Sequence, residues 1–97
     1  MIIDFFDKGT EDTYNGINSR EARKTLPAEL KKIALRKFYF LDNAVNLADL
    51  RVPPGNKLER LHGHREGQHS IRINDRYRIC FIWTKKGPER VEIVDYH

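Results

Sequence analysis

The stretch from Gly67 to His97, GQHSIRINDRYRICFIWTKKGPERVEIVDYH, constrains the fold more than any other. Apolar and polar residues alternate over Ser70 to Asn74, Tyr77 to Trp83 and Arg90 to Val94, the period of two that marks half-buried strands. Asn74-Asp75-Arg76 and Lys85-Lys86-Gly87-Pro88 supply the turns between them. Ile71 and Ile73, then Tyr77, Ile79, Phe81 and Trp83, then Val91 and Ile93 share one face. Arg72 and Asn74, with Arg78, Cys80 and Ile82, take the other.

Such a sheet needs a cover for its apolar face, and Pro27 to Val45 supplies it. Pro27 suits a first helical turn, where its missing N–H costs nothing. Leu30, Ile33, Ala34, Lys37, Phe38, Leu41, Ala44 and Val45 recur at steps of three and four. Lys37 alone interrupts the stripe, and its stem can lie along the apolar edge. Upstream, Ile2 to Phe6 reads as a first strand, Gly9 to Ile17 as a short helix ending at Asn15-Gly16, and residues 18–26 as loop with a fragment of helix. A short helical piece, Leu47 to Leu50, precedes the loop Pro53-Pro54-Gly55, and Leu58 to Leu61 begins the sheet. The expected architecture is α+β, with helices on one side of an antiparallel meander and Arg72 and Arg78 side by side on the uncovered face.

At 97 residues the chain is expected to be one domain, residues 1–97, too small for a deep enclosed cavity. A shallow groove suited to an extended polymer fits better. The charge is lopsided: residues 1–50 carry eight Lys/Arg and eight Asp/Glu, whereas residues 51–97 carry ten against six. That excess suits a polyanion, because each phosphate neutralised releases counterions; a merely solvating basic surface is the plainer alternative. The single Cys80 sits in an apolar run and reads as a buried filler in a reducing compartment. Acids near the N-terminus oppose a signal peptide, and no stretch approaches a membrane span, so a cytoplasmic location is expected.

A basic groove without a P-loop, a metal motif or an activated Ser or Cys points to RNA cleavage through the substrate's own 2′-hydroxyl. That reaction needs an acid and a base near neutral pH, which imidazole supplies, and a cation matched to a crowded phosphorane, which guanidinium supplies. Arg72, Arg76, Arg78 and His97 are the right types, and Tyr96 can stack a base or share a proton. Arg72 and Arg78 also fit edge charges paired with Glu92 or Glu66, with His97 a plain tail. His62, His64 and His69 suggest a metal, but no Cys is near and Glu59 and Glu66 show no ligand spacing. No metal or other cofactor is expected.

Three runs together resemble a known family: Pro-Pro-Gly-Asn-x-Leu-Glu-x-Leu-x-Gly, then Arg-x-Gly-Gln-His-Ser-Ile-Arg-Ile-Asn-Asp-x-Tyr-Arg-Ile-Cys-Phe-x-Trp, then the terminal Val-Glu-Ile-Val-Asp-Tyr-His. They are similar to the HigB family of plasmid-maintenance killer proteins in the RelE/ParE toxin superfamily, GraT-type members above all. The resemblance implies a RelE-like fold, with an N-terminal strand and two helices on one face of a four- to five-stranded, mostly antiparallel sheet. It implies a ribosome-dependent endoribonuclease that cuts mRNA in the A site. The implied partner is a helix-turn-helix antitoxin of the HigA kind, through which alone the protein would reach operator DNA.

Carried over, Asp95, Tyr96 and His97 match the family's C-terminal functional cluster. Arg76 stands where some members have Asn, and Glu59 where those members have His; His62 is a candidate replacement. On this reading Arg76 and Arg78 stabilise the phosphorane, His97 acts as acid or base, and Tyr96 stacks or orients. Lys57, His62, Arg65 and Arg72 contact the nucleic acid. Strict alternation from Val91 and Ile93 sends Asp95 and His97 toward the core and Tyr96 to the arginine face, so either the strand ends, twists or bulges after Val94 or His97 reaches around the edge. The alternatives are a ParE-like toxin acting on DNA gyrase by protein contact, and a plain RNA-binding module.

Overall fold

In a computed structural model, which describes residues 1–96, the alternating stretch folds as the expected meander. Its strands are β1 (Glu59–Arg60), β2 (His69–Arg72), β3 (Tyr77–Thr84) and β4 (Gly87–Asp95), each antiparallel to the next. Ile71 stands opposite Ile79, and Ile79 opposite Ile93, so the apolar runs meet on one face. Ile71, Ile79, Phe81 and Val91 are fully buried there. β4 begins at Gly87 rather than Arg90, because Thr84 pairs with Gly87 and the hairpin closes through Lys85 and Lys86 alone.

The first segment is less regular than a strand. It runs parallel to β4 through a single bridge, Phe5 to Val91. Ile3 donates to the Pro88 carbonyl at 2.9 Å, Phe6 to the Val91 carbonyl at 3.0 Å, and Val91 to the Asp4 carbonyl at 3.1 Å. A bulge in the β3–β4 register between Cys80 and Ile82, and a left-handed Arg90 (φ 51), break the ladder that this segment would otherwise extend.

Helices α1 (Lys8–Asn15) and α3 (Lys31–Asn43) cover the apolar face, and α2 (Arg20–Thr25) packs on α1. Asp7 caps α1 by accepting from the Thr10 N–H at 2.7 Å, and Gly16 ends it in the left-handed conformation (φ 74) that lacks a Cβ penalty. The polar 18–26 segment is more helical than its composition suggests. Ser19 caps α2 through the Ala22 N–H at 3.0 Å, and Ala22 is buried. Gly9 lets α1 and α2 approach closely, since a Cβ there would stand 2.8 Å from the Glu21 carbonyl.

α3 follows a 3-10 turn, Ala28–Leu30, and buries Ala34, Phe38 and Leu41 against the sheet. It stops at Asn43, two residues short of the apolar stripe. Asn46 and Asp49 form a capping box for the next turn, Leu47–Arg51, and Asp49 accepts from the Val45 N–H at 2.8 Å, drawing Val45 out of the helix and into solvent. Lys37 does lie along the apolar edge, but its ammonium donates to Asn56 Oδ1 at 2.7 Å. Asn56, fully buried, donates in turn to the Leu50 and Val52 carbonyls, which pins the Pro-Pro-Gly loop.

Candidate functional site

The sheet face away from the helices carries Ser70, Arg78 and Cys80, and it is not bare as the alternation suggested. All three are buried. Arg78 Nε donates to Ser70 Oγ at 2.7 Å, Nη2 donates to the Lys57 carbonyl at 2.6 Å, and Nη1 lies 3.7 Å from Glu59 Oε1. Lys57 brings its carbonyl there by taking a left-handed backbone (φ 45) after the turn Pro54–Asn56. The result is a guanidinium with its rotamer fixed, a cation held ready at one orientation. Arg72 is its register partner, but it turns aside to pair with Asp75.

A cleft of about 550 Å³ opens on the surface, within the size range of ligand sites. His62, His64, Arg65 and Tyr96 line it together with Phe6, Gln68, Arg90 and Glu92. Arg65 Nη1 donates to both Gln68 Oε1 and Glu92 Oε1 at 3.1 Å, and Glu92 raises the guanidinium's already high pKa further. Tyr96 is anchored by its N–H to the Arg76 carbonyl at 2.7 Å, and its hydroxyl lies 3.6 Å from Cys80 Sγ. Desolvation, then the Cys80 contact, pushes its phenol up to about 12, against the opposing fields of Arg65 and Arg78. The phenol is therefore protonated throughout the neutral range: a hydrogen-bond donor, not a phenolate base.

The remaining candidates separate. His62 is exposed, its Nδ1 3.8 Å from Glu66 Oε2. Asp95 stands opposite Tyr77, on the helix side of the sheet, as alternation required. It lies at the sheet's end, half exposed and paired with Arg76 rather than tucked into the core. The pairing with β3 holds through Asp95, so no bulge after Val94 is needed, and Tyr96 turns to the arginine face as expected. Tyr96, Arg65 and His62 thus line the cleft, whereas Arg78 and Lys57 are outside its lining, as are Arg72, paired with Asp75, and Arg76, paired with Asp95. His97 lies outside the described residues.

Phe6, Gln68 and Arg90 are cleft residues beyond the candidates that residue type and spacing suggest, and Glu92 pairs with Arg65 rather than with Arg72 or Arg78. Period two from Phe5 carried a signal for Phe6: Phe5 packs on Tyr14 and Phe38, so its neighbour faces away. Nothing in the sequence marks Arg90 as left-handed, a conformation costing about 1–3 kcal/mol in a non-glycine residue. His69 stacks on Phe81 at 6.4 Å with a buried, unpartnered Nδ1, and burial, then Arg60, lowers its pKa. It reads as a neutral ring at the core's edge. Among the described residues no group of three His, Cys, Asp or Glu could hold a metal ion, and no helix is long and apolar enough to cross a membrane.

This arrangement of helices on an antiparallel meander has a solved counterpart, the YoeB–YefM complex from Staphylococcus aureus. The chain matches it with a TM-score of 0.60 and 16% identity, over 100% of this chain and 98% of that one, a likeness of fold. A model of the family described as "RelE-like toxin of type II toxin-antitoxin system HigB" matches residues 3–97. A RelE-like fold is also what the matching family model describes. Toxin HigB-1 of Vibrio cholerae serotype O1 is 37% identical over 84 residues, 87% of this chain and 85% of that protein. A Haemophilus influenzae protein described as uncharacterized is 34% identical over 69 residues, 71% of this chain and 66% of its own. The chain belongs to the HigB-like toxins of type II toxin–antitoxin systems.

Proposed function

We propose that the protein is an mRNA endoribonuclease that works on the ribosome. The observation that carries this reading is an open cleft lined by Tyr96, His62, His64 and an Arg65 held by Glu92, with a second guanidinium, Arg78, fixed on the sheet face that carries Cys80, the neighbour of the Tyr96 hydroxyl. In the reaction a base removes the proton of a substrate 2′-hydroxyl. The 2′-oxygen bonds to the adjacent phosphorus, the bond to the 5′-oxygen breaks, and an acid protonates that oxygen, leaving a 2′,3′-cyclic phosphate and a 5′-hydroxyl.

Arg78 and Arg65 neutralise the phosphorane, and Tyr96 donates a hydrogen bond to a phosphoryl oxygen. His97 supplies an imidazole as acid or base, with His62 the exposed candidate for the second proton. Arg76 and Asp95 position the end of β4. Lys57 and Arg72 contact backbone phosphates. Protein-side proton carriers are few, which favours a substrate already shaped by the ribosomal A site. An antitoxin with a helix-turn-helix domain restrains the toxin in the cytoplasm and carries it to operator DNA.

Primer extension on mRNA after induction tests this. Discrete, codon-phased cuts are expected, and Arg78→Lys or His97→Ala should reduce them by roughly 10²- to 10³-fold, the usual effect of losing one transition-state donor. Intact mRNA with DNA damage would instead identify a gyrase poison and overturn the nuclease reading.

A further inference from the structure

Phe6 and Arg90 form a plate on the wall of the cleft that neither the fold nor the core requires. The Phe6 ring is 53% exposed, whereas its neighbour Phe5 is packed into the aromatic cluster. Arg90 Cζ stands 5.2 Å from the Phe6 ring centroid. That position depends on an unusual backbone: Arg90 is left-handed beside the β3–β4 bulge, and its N–H donates to Asp4 Oδ1 at 2.6 Å. Flanking bonds, Val91 N–H to the Asp4 carbonyl and Phe6 N–H to the Val91 carbonyl, lock the two segments together. The strain is thus held in place by the same segment that presents the ring.

An exposed phenyl roofed by a guanidinium suits a planar, electron-rich guest. The setting suits an anionic chain. His62, His64, Arg65 and Arg90 line the cleft against Glu92 alone, and Arg65 already neutralises Glu92. We propose that Phe6 and Arg90 are a stacking shelf for one unpaired nucleobase of the RNA substrate, a purine in preference to a pyrimidine because its two rings cover more of the plate. The shelf positions substrate and sets base preference next to Tyr96; it does no proton chemistry. This rests on the nuclease reading for its substrate class, but its test does not depend on cleavage.

Uncleavable, fully 2′-O-methylated single-stranded RNAs carrying 2-aminopurine at each position in turn are titrated with the full-length protein. Stacking on the shelf quenches the probe. Wild type should quench it at one position, and a pyrrolocytosine probe there should bind more weakly. Phe6→Leu should abolish the quench and weaken binding by roughly 5- to 150-fold, the effect of losing one base–aromatic stack. Phe6→Trp should retain both, and an unchanged melting temperature excludes misfolding. Absence of quenching by wild type, or Phe6→Leu binding like wild type, overturns the shelf. Quenching without cleavage of ribosome-bound mRNA leaves the shelf standing and removes the nuclease reading; cleavage without quenching does the reverse.

Discussion

Arg76 and Asp95 face each other across the open end of the β3–β4 hairpin in a two-point ion pair, Nε to Oδ1 at 2.9 Å and Nη2 to Oδ2 at 2.8 Å. The same arginine's carbonyl accepts the Tyr96 N–H at 2.7 Å. One residue at the start of β3 therefore holds both the last residue of β4 and the phenol that follows it. The pair is planar and bidentate, but both side chains are about half exposed, so its strength is set by solvent screening.

Arg76→Gln and Asp95→Asn should each lower the melting temperature slightly at low salt, and the difference from wild type should vanish at high salt, where the screening length falls to a few ångströms. Thermal unfolding across a salt series checks this. A deficit independent of salt would mean that the pair acts through packing.

Tyr96 should titrate late. Its folded pKa is raised above the ordinary 10 to about 12, so the neutral phenol is favoured in the folded state. That contribution to stability is complete below pH 10 and is lost as pH rises from 10 to 12. Phenolate absorbance followed against pH should show one group titrating at about 12 that is missing from Tyr96→Phe. A tyrosine at the ordinary value in its place would sink the assignment.

Cys80 is fully buried, and burial, opposed by its contact with Tyr96, pushes its thiol up. Reaction needs an exposed thiolate. A thiol-specific reagent should therefore label native protein roughly 10³-fold or more slowly than urea-unfolded chain, at the pace of global opening. Equal rates would show that the sulfur is reachable from the cleft.

Helix α1 is tied to the sheet by one buried bond, Ile93 N–H to Thr10 Oγ1 at 3.0 Å. Thr10→Val keeps the shape and strands that N–H, at a cost of about 1–3 kcal/mol, whereas Thr10→Ser should retain most of the stability. Urea midpoints of the two variants make the comparison. Equal midpoints would show that the bond contributes nothing net.

The sheet and its faces were legible because period two is imposed directly by the strand backbone, and Ile71, Ile79 and Ile93 obeyed it. α3 was legible from its stripe, though its end was not, since a side chain at Asp49 competed for the backbone of Val45. α2 was legible only as a fragment of helix without bounds, because its support is a cap and one buried alanine, not a run of apolar residues. Within the site, residue types pointed to Arg65, Arg78 and Tyr96. What periodicity could not show was where the chain returns over a face. The Lys57 carbonyl and the 54–56 turn cover Arg78, and only tertiary contacts place them there. Sequence spacing likewise does not show the Arg76–Asp95 pair. Arg90 escaped because its left-handed backbone comes from a bulge, which no local pattern announces.

Residues 3–6 and 88–91 hydrogen-bond side by side, although Asp4 and Arg90 are 86 positions apart. Closing so long a span costs about 2 kcal/mol more than closing roughly ten residues, so this seam should form late in folding. It also carries both halves of the Phe6–Arg90 plate. A nascent chain whose residues 88–91 are still inside the exit tunnel can form its helices but not this wall. Protease resistance of stalled chains, rising only after that segment emerges, would report the step. One late step thus closes the fold and erects the cleft's aromatic wall together.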